Sequence, residues 1–219
     1  MPSTRQEQSS ARGKSAFLSI ADAVASLRAG GVVAIPTDTV YGLAASAFDE
    51  RAVARVYRVK GRDFKVALPV LMAEPDDIDR CAVDVPDVAR RLVEAFWPGP
   101  LTIIVCKSGA IPDALSAGMP TVGLRVPDHP VPRELSRLLG SPITGTSANR
   151  SGAPSLSTAA GVLSELGDSL DGVVDGGELL ESAPSTVVDL VADPPRIVRP
   201  GAITADELSG AVGVEFLPA

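Results

Sequence analysis

With 219 residues, 45% of them hydrophobic, the chain has enough apolar material to bury the core of one large domain or two small ones. Its net charge of −7 argues against non-specific nucleic-acid binding, which depends on Lys and Arg neutralising phosphates; its 4% aromatic content argues against a base-stacking platform, while a local basic patch stays open. No apolar run approaches the ~20 residues of a membrane span, and the polar start MPSTRQEQSSARGKSAF lacks the apolar stretch of a signal peptide. The chain therefore reads as cytoplasmic, with residues 1–15 as a flexible tail and 16–219 as one folded domain. Cys81 and Cys106 lack metal-type spacing and fit a reducing compartment. The single histidine, His129, rules out a His-rich metal site, and its setting in PDHP reads as a turn before a helix.

In chain order, SIADAVASLRAGG predicts a helix with Ile20, Val24 and Leu27 on one face, Ser19 as cap and Gly30-Gly31 as stop. VVAIP predicts a short strand halted by Pro36. DERAVARVYRVKG predicts a second helix, capped by Asp49, with Val53, Val56 and Lys60 along its later turns. VALPVLM is strand-like, PDVARRLVEAFWPG is a helix broken by Pro98-Gly99, and LTIIVC is the clearest strand. TVGLRV alternates as a strand, and PVPRELSRLLG and TAAGVLSELG are helices ending at glycine. DGVVDGG, STVVDL and RIVRPG follow as short strands, and TADELSG as a last helix. Strict βαβ alternation is lost after Pro98, which predicts an α/β fold with α+β-like mixing: a single twisted mixed sheet with flanking helices. Neither G-x-G-x-x-G after a strand nor G-x-x-x-x-G-K-[ST] is present.

Four segments place polar groups at element ends. PTDTVYGL offers Thr37, Asp38, Thr39 and Tyr41, and reads equally well as a plain turn. KGRDFK holds Lys60, Arg62 and Lys65 within six residues; Arg forks and mobile Lys charges suit a polyphosphate, although such a run is more often a solvated helix end. TGTSANRSG, Thr144 to Gly152, sets Ser147 and Asn149 two apart, so on an extended segment they point the same way, and Gly145 allows close approach of backbone to a ligand. APSTVVDL and RIVRPG bring Ser185 and Arg199 to strand ends. Arg125 sits inside the otherwise apolar TVGLRV, where an unpaired guanidinium is very costly to bury, so it calls for an anion partner.

Taken together and in this order, IPTDTVYGLAASA, VYRVKGR, ALPVLM, WPGPLTII, VGLRVPDHP, TSANRSGAPS, STVVDL and IVRPGAI resemble the YrdC-like family of L-threonylcarbamoyl-AMP synthases, over about Ile20 to Ile203. The resemblance implies a twisted sheet with a concave substrate face. It also implies a nucleotidyltransferase that forms L-threonylcarbamoyladenylate from L-threonine, ATP and bicarbonate, with Mg²⁺ accompanying ATP and no tightly bound cofactor. The product would pass to the tRNA threonylcarbamoyl-transfer machinery, which modifies the adenosine beside the anticodon; weak direct tRNA binding stays open. The family pattern matches Lys60, Arg62, Ser147 and Asn149 as catalytic residues. It assigns Lys60, Arg62, Thr121, Ser147, Asn149, Ser155 and Arg199 to ATP, and Thr39, Arg62, Arg125, Gly145 and Ser185 to threonine. Asp38 reads either as a holder of metal or water or as a turn cap.

The chain departs from the family pattern in three places. Asp63 and Phe64 follow the Arg of KGR where members often have Pro, Leu71 stands where longer relatives carry His, and the chain reads as the short, single-domain form. Two rival readings are an RNA- or tRNA-binding module of the same fold, disfavoured by the acidic balance, and a carbamoyl-transfer domain of hydrogenase maturation, whose zinc-type Cys spacing is missing.

Overall fold

Local capping chemistry starts and stops most helices where the sequence predicts. The computed structural model describes residues 17–180 and 183–218, so the flexible tail expected for residues 1–15 lies outside the described residues. Helix α1 (Ile20–Arg28) begins at Ser19, whose side chain accepts from the Asp22 amide. Strands β1 (Val33–Ile35) and β2 (Gly42–Ala44) form an antiparallel hairpin around PTDT. Helix α2 (Glu50–Lys60) is capped by Asp49 and ends at Gly61, whose φ of 58° turns the chain away from the helix axis. Strand β3 (Val70–Leu71), helices α3 (Ile78–Cys81) and α4 (Asp87–Phe96), strand β4 (Leu101–Cys106), helix α5 (Asp113–Ser116) and strand β5 (Thr121–Arg125) follow. Helix α6 (Pro130–Leu139) starts at His129, whose Nδ1 accepts from the Val131 amide, and stops at Gly140. The lone histidine is thus a cap, as its PDHP setting predicts.

The remaining strands are short: β6 (Ile143–Thr144), β7 (Thr146–Ser147), β8 (Gly172–Val173), β9 (Thr186–Asp189), β10 (Arg196–Arg199) and β11 (Leu217–Pro218). Helix α7 (Ala159–Leu166) precedes β8, and α8 (Ala205–Val212) starts at its Thr204 cap and runs two residues past the predicted TADELSG.

The class is the mixed α/β one expected, with the strands divided between two mixed sheets rather than gathered in one. One has four strands in the order β7-β2-β1-β8; the other has seven, β11-β10-β9-β4-β5-β3-β6. The division has a local cause at Gly145. Residues on either side of it pair into different sheets: β6 with β3, β7 with β2. A Cβ at Gly145 would lie 2.6 Å from Leu71 Cγ, so only glycine lets the chain pass this close as it changes sheet.

The core lies behind one face of the seven-stranded sheet, where Leu101, Ile103 and Val105 of β4, Val122 and Leu124 of β5, and Val188 of β9 are all buried. Side chains alternate along a strand. The opposite face therefore carries Thr102, Ile104, Thr121, Gly123, Arg125 and Val187, and all six line one cavity. Register aligns them: Ile104 stands opposite Gly123, Thr102 opposite Val187, and Val187 opposite Arg199. The sheet is a floor with polar residues in an ordered row.

Candidate functional site

The cavity above this floor measures about 1100 Å³. Nine of the residues assigned from the sequence line it: Thr39, Arg62, Thr121, Arg125, Gly145, Ser147, Ser155, Ser185 and Arg199. Lys60 and Asn149 do not; they are buried beneath its wall. Lys65 is exposed and lies apart from the cavity, so only Arg62 of the KGRDFK cations faces in.

The wall is the TSAN segment, and α2 holds it from below. Lys60 Nζ donates to Ser147 O at 2.5 Å, Asn149 O at 3.0 Å and Asn149 Oδ1 at 3.1 Å. An ammonium has three protons, so all are engaged. The Lys60 carbonyl in turn accepts from the Ser151 amide. Asn149 Oδ1 also accepts from Ser147 Oγ, and its Nδ2 donates to Ala153 O. Burial first, and then the charge of Arg62, lower the Lys60 pKa from 10.5 to about 8.

Arg62 emerges just past Gly61, its amide donating to Tyr57 O. The Asp63-Phe64 departure makes a defined turn. Asp63 Oδ1 accepts from the Lys65 amide, and Phe64 stacks on Tyr57 with ring centroids 4.5 Å apart. Tyr57 Oη bonds the carbonyls of Val66 and Ala114, which ties this loop to α5. Burial raises the Tyr57 pKa, and the Arg62 charge opposes the rise.

The anion partner that Arg125 calls for is found inside the chain. Its Nη2 lies 2.6 Å from both oxygens of Asp38, and its Nε donates to Gly99 O. Asp38 is thus the counter-ion of Arg125. Burial pulls the Arg125 pKa down and Asp38 opposes it. Thr39 is placed by its neighbour: the Thr37 hydroxyl donates to Val40 O and accepts from the Thr39 and Val40 amides.

On the far side of the floor, Arg199 Nη2 donates to Ser185 O at 2.7 Å and Ser185 Oγ at 2.9 Å. Ser185 Oγ also meets Thr102 Oγ1 at 3.0 Å. These two hydroxyls share two protons and only one is spent between them, so one donor remains to face a ligand. Thr102 is absent from the sequence assignment. The signal was there: it is the only hydroxyl residue in LTIIVC. Burial and then the nearby Arg125 charge lower the Arg199 pKa.

The site thus offers three guanidiniums, several hydroxyls and one lining carboxylate, Glu178. Such a set suits an anionic or zwitterionic ligand that needs neutralisation and positioning. Among the described residues, no group of three His, Cys, Asp or Glu side chains could hold a metal ion.

Comparison with known proteins agrees with this chemistry. The family model described as "Sua5_yciO_yrdC: Telomere recombination" matches residues 25–201. A Pyrococcus abyssi protein named threonylcarbamoyl-AMP synthase is 38% identical over 187 residues, covering 85% of this chain and 55% of that protein. A Bacillus subtilis protein of the same name is 41% identical over 195 residues, covering 89% and 56%. The chain spans a little over half the length of these relatives. The crystal structure of P. abyssi Sua5 complexed with L-threonine has a TM-score of 0.87 at 37% identity, covering 90% of this chain and 58% of that one.

Proposed function

Because the chain belongs to the Sua5/YciO/YrdC family, we propose that it is a nucleotidyltransferase forming L-threonylcarbamoyladenylate from L-threonine, ATP and bicarbonate, with release of pyrophosphate. The product serves threonylcarbamoylation of the tRNA adenosine next to the anticodon, through downstream transfer machinery. The observation that carries this reading is the convergence of Arg62, Arg125 and Arg199 on one hydroxyl-lined cavity of about 1100 Å³. That volume is at the upper end for ligand sites, which suits two substrates bound together. The L-threonine bound in the P. abyssi structure supports an amino acid as one of them.

In this reading Thr39, Arg62, Arg125, Gly145 and Ser185 receive threonine, and Arg62, Thr121, Ser147, Ser155 and Arg199 receive ATP. Lys60 and Asn149 act on ATP through the wall they hold. The threonine amine bonds to the bicarbonate carbon and water is lost, leaving a carbamate. A carbamate oxygen then attacks the α-phosphorus while the bond to pyrophosphate breaks. The nucleophile is weak, so the rate comes from alignment and charge stabilisation. This suits a site rich in fixed donors in which the one histidine is a helix cap. The described residues include no group of three His, Cys, Asp or Glu side chains that could hold a resident metal, so Mg²⁺ is assigned to the nucleotide's own phosphates.

No helix among the described residues is long and apolar enough to cross a membrane. Mass spectrometry of a mixture of protein, ATP, L-threonine and bicarbonate tests the reading. The adenylate mass should form and vanish when bicarbonate is withheld. Protein that binds tRNA in a salt-dependent gel shift, yet yields no adenylate, would support the RNA-binding module instead.

A further inference from the structure

Three arginines face the cavity, and only one has a carboxylate partner. Arg125 is clamped by Asp38, whereas neither Arg62 nor Arg199 makes an ion pair among the described residues. The clamp occupies Nη2, and Gly99 O occupies Nε. Nη1 donates to no group among the described residues, yet no buried side-chain nitrogen or oxygen among them is left without a partner. Nη1 is therefore the accessible edge of Arg125, on the lining of the cavity.

The charges consequently differ in kind. Arg125 offers a directed donor whose charge Asp38 opposes at 2.6 Å, while Arg62 and Arg199 have no ion-pair partner among the described residues. A triphosphate responds chiefly to net charge, and near Arg125 it would also meet the Asp38 carboxylate. A zwitterionic amino acid carries no net charge and loses little by that carboxylate's presence. Specificity between two ligands of one cavity often rests on such a repulsive element.

We propose that Asp38 is a specificity-determining residue that reserves Arg125 for the carboxylate of the amino-acid substrate and keeps the polyphosphate on Arg62 and Arg199. The inference rests on the functional reading above and deepens it. Asp38 acts through Arg125, so it is a positioning residue, and what distinguishes its role from mere support is competition between ligands.

Isothermal titration calorimetry with L-threonine and inorganic tripolyphosphate reads that competition without turnover. On wild-type protein the two should bind with little mutual effect. In Asp38→Asn, tripolyphosphate should raise the apparent Kd for threonine about tenfold or more, the scale of one unpaired charge at close range. Asp38→Glu, which keeps the charge, should restore independence. Competition on the wild-type protein, or none on Asp38→Asn, overturns the proposal. Asp38→Asn leaves a buried guanidinium unpaired and can fail to fold, so Arg199→Gln supplies a second test. It should lose about tenfold or more in tripolyphosphate affinity, and a smaller factor of about fivefold in threonine affinity, which Arg199 touches only through Ser185. Tripolyphosphate that still binds Arg199→Gln and is displaced by threonine would mean that Arg125 already takes phosphate. Wild-type protein that binds no threonine would sink the functional reading itself. Threonine binding with no gained competition in Asp38→Asn would sink only the role of Asp38.

Discussion

Replacing Lys60 by Met separates the two things its ammonium does. Met keeps the apolar stem and most of the volume but supplies no donor to Ser147 O, Asn149 O and Asn149 Oδ1. Ser147 O keeps the Asn149 amide and Asn149 Oδ1 keeps the Ser147 hydroxyl, so Asn149 O is the acceptor left dry, at a cost of about 1–3 kcal/mol. Against this, the buried charge is itself unfavourable. The lowering of the pKa from 10.5 to about 8 corresponds to about 3 kcal/mol at neutral pH, at 1.36 kcal/mol per pH unit. The two effects oppose one another, so the net loss of stability at pH 7 should stay within about 3 kcal/mol. Activity has no such compensation. The wall carrying Ser147 loses its tie to α2, and a displacement of about 1 Å costs on the order of 100-fold in rate.

The pH dependence gives a second reading of the same residue. The unfolded chain holds this proton up to 10.5 and the folded one only to about 8, so between those values the unfolded state binds more protons and Lys60's contribution to stability rises with pH. Wild-type protein should therefore gain stability relative to Lys60→Met across that window. Its activity should fall over the same range, because a neutral amine has two protons for three acceptors. Thermal unfolding and pyrophosphate release, each measured from neutral to alkaline pH, check both. Wild-type turnover in Lys60→Met, or no relative gain in stability across the window, would refute the reasoning.

Three other substitutions probe the cavity. Gly145→Ala places a methyl 2.6 Å from Leu71 Cγ and should drive Leu71 into the cavity, raising the KM for threonine about tenfold at a stability cost of about 1–3 kcal/mol; Leu71→Ala in the same chain should recover it. Thr102→Val keeps shape but deletes the hydroxyl beside Ser185; losing about 1 kcal/mol should raise threonine's KM about fivefold, while Thr102→Ser stays near wild type in steady-state kinetics. Phe64→Ala removes the stack on Tyr57, worth about 0.5–1.5 kcal/mol, and should raise the KM for ATP through Arg62 while lowering Tm by only a few degrees, roughly 1–6 °C. An unchanged KM there would detach the Phe64 turn from Arg62.

Elements with strong local signals were legible from the residues alone. Ser19 and Asp49 cap their helices, Gly140 stops α6, and LTIIVC is β4 from end to end. Each depends on neighbours in the chain: an oxygen within reach of the next turn's amides, a left-handed glycine, a β-branched run. The order of motifs was equally legible as a family resemblance. The two-residue strands β6 and β7 were not, because so short a segment has almost no preference of its own and is defined by its partners. The same holds for the second sheet, which exists because the chain changes partners at Gly145.

The candidate site divides along the same line. Sequence determined its inventory: Arg62, Arg125 and Arg199, the hydroxyls around them, and the physical demand that a guanidinium within an apolar strand meet an anion. Only the tertiary structure decided who meets whom. Asp38 reaches Arg125 across 87 residues, and Lys60 reaches Asn149 across 89. Which cation stays open to a ligand and which is consumed in holding the wall follows from those long-range contacts. A side chain's charge is set by its own chemistry, whereas its availability is set by what the fold places within about 3 Å of it.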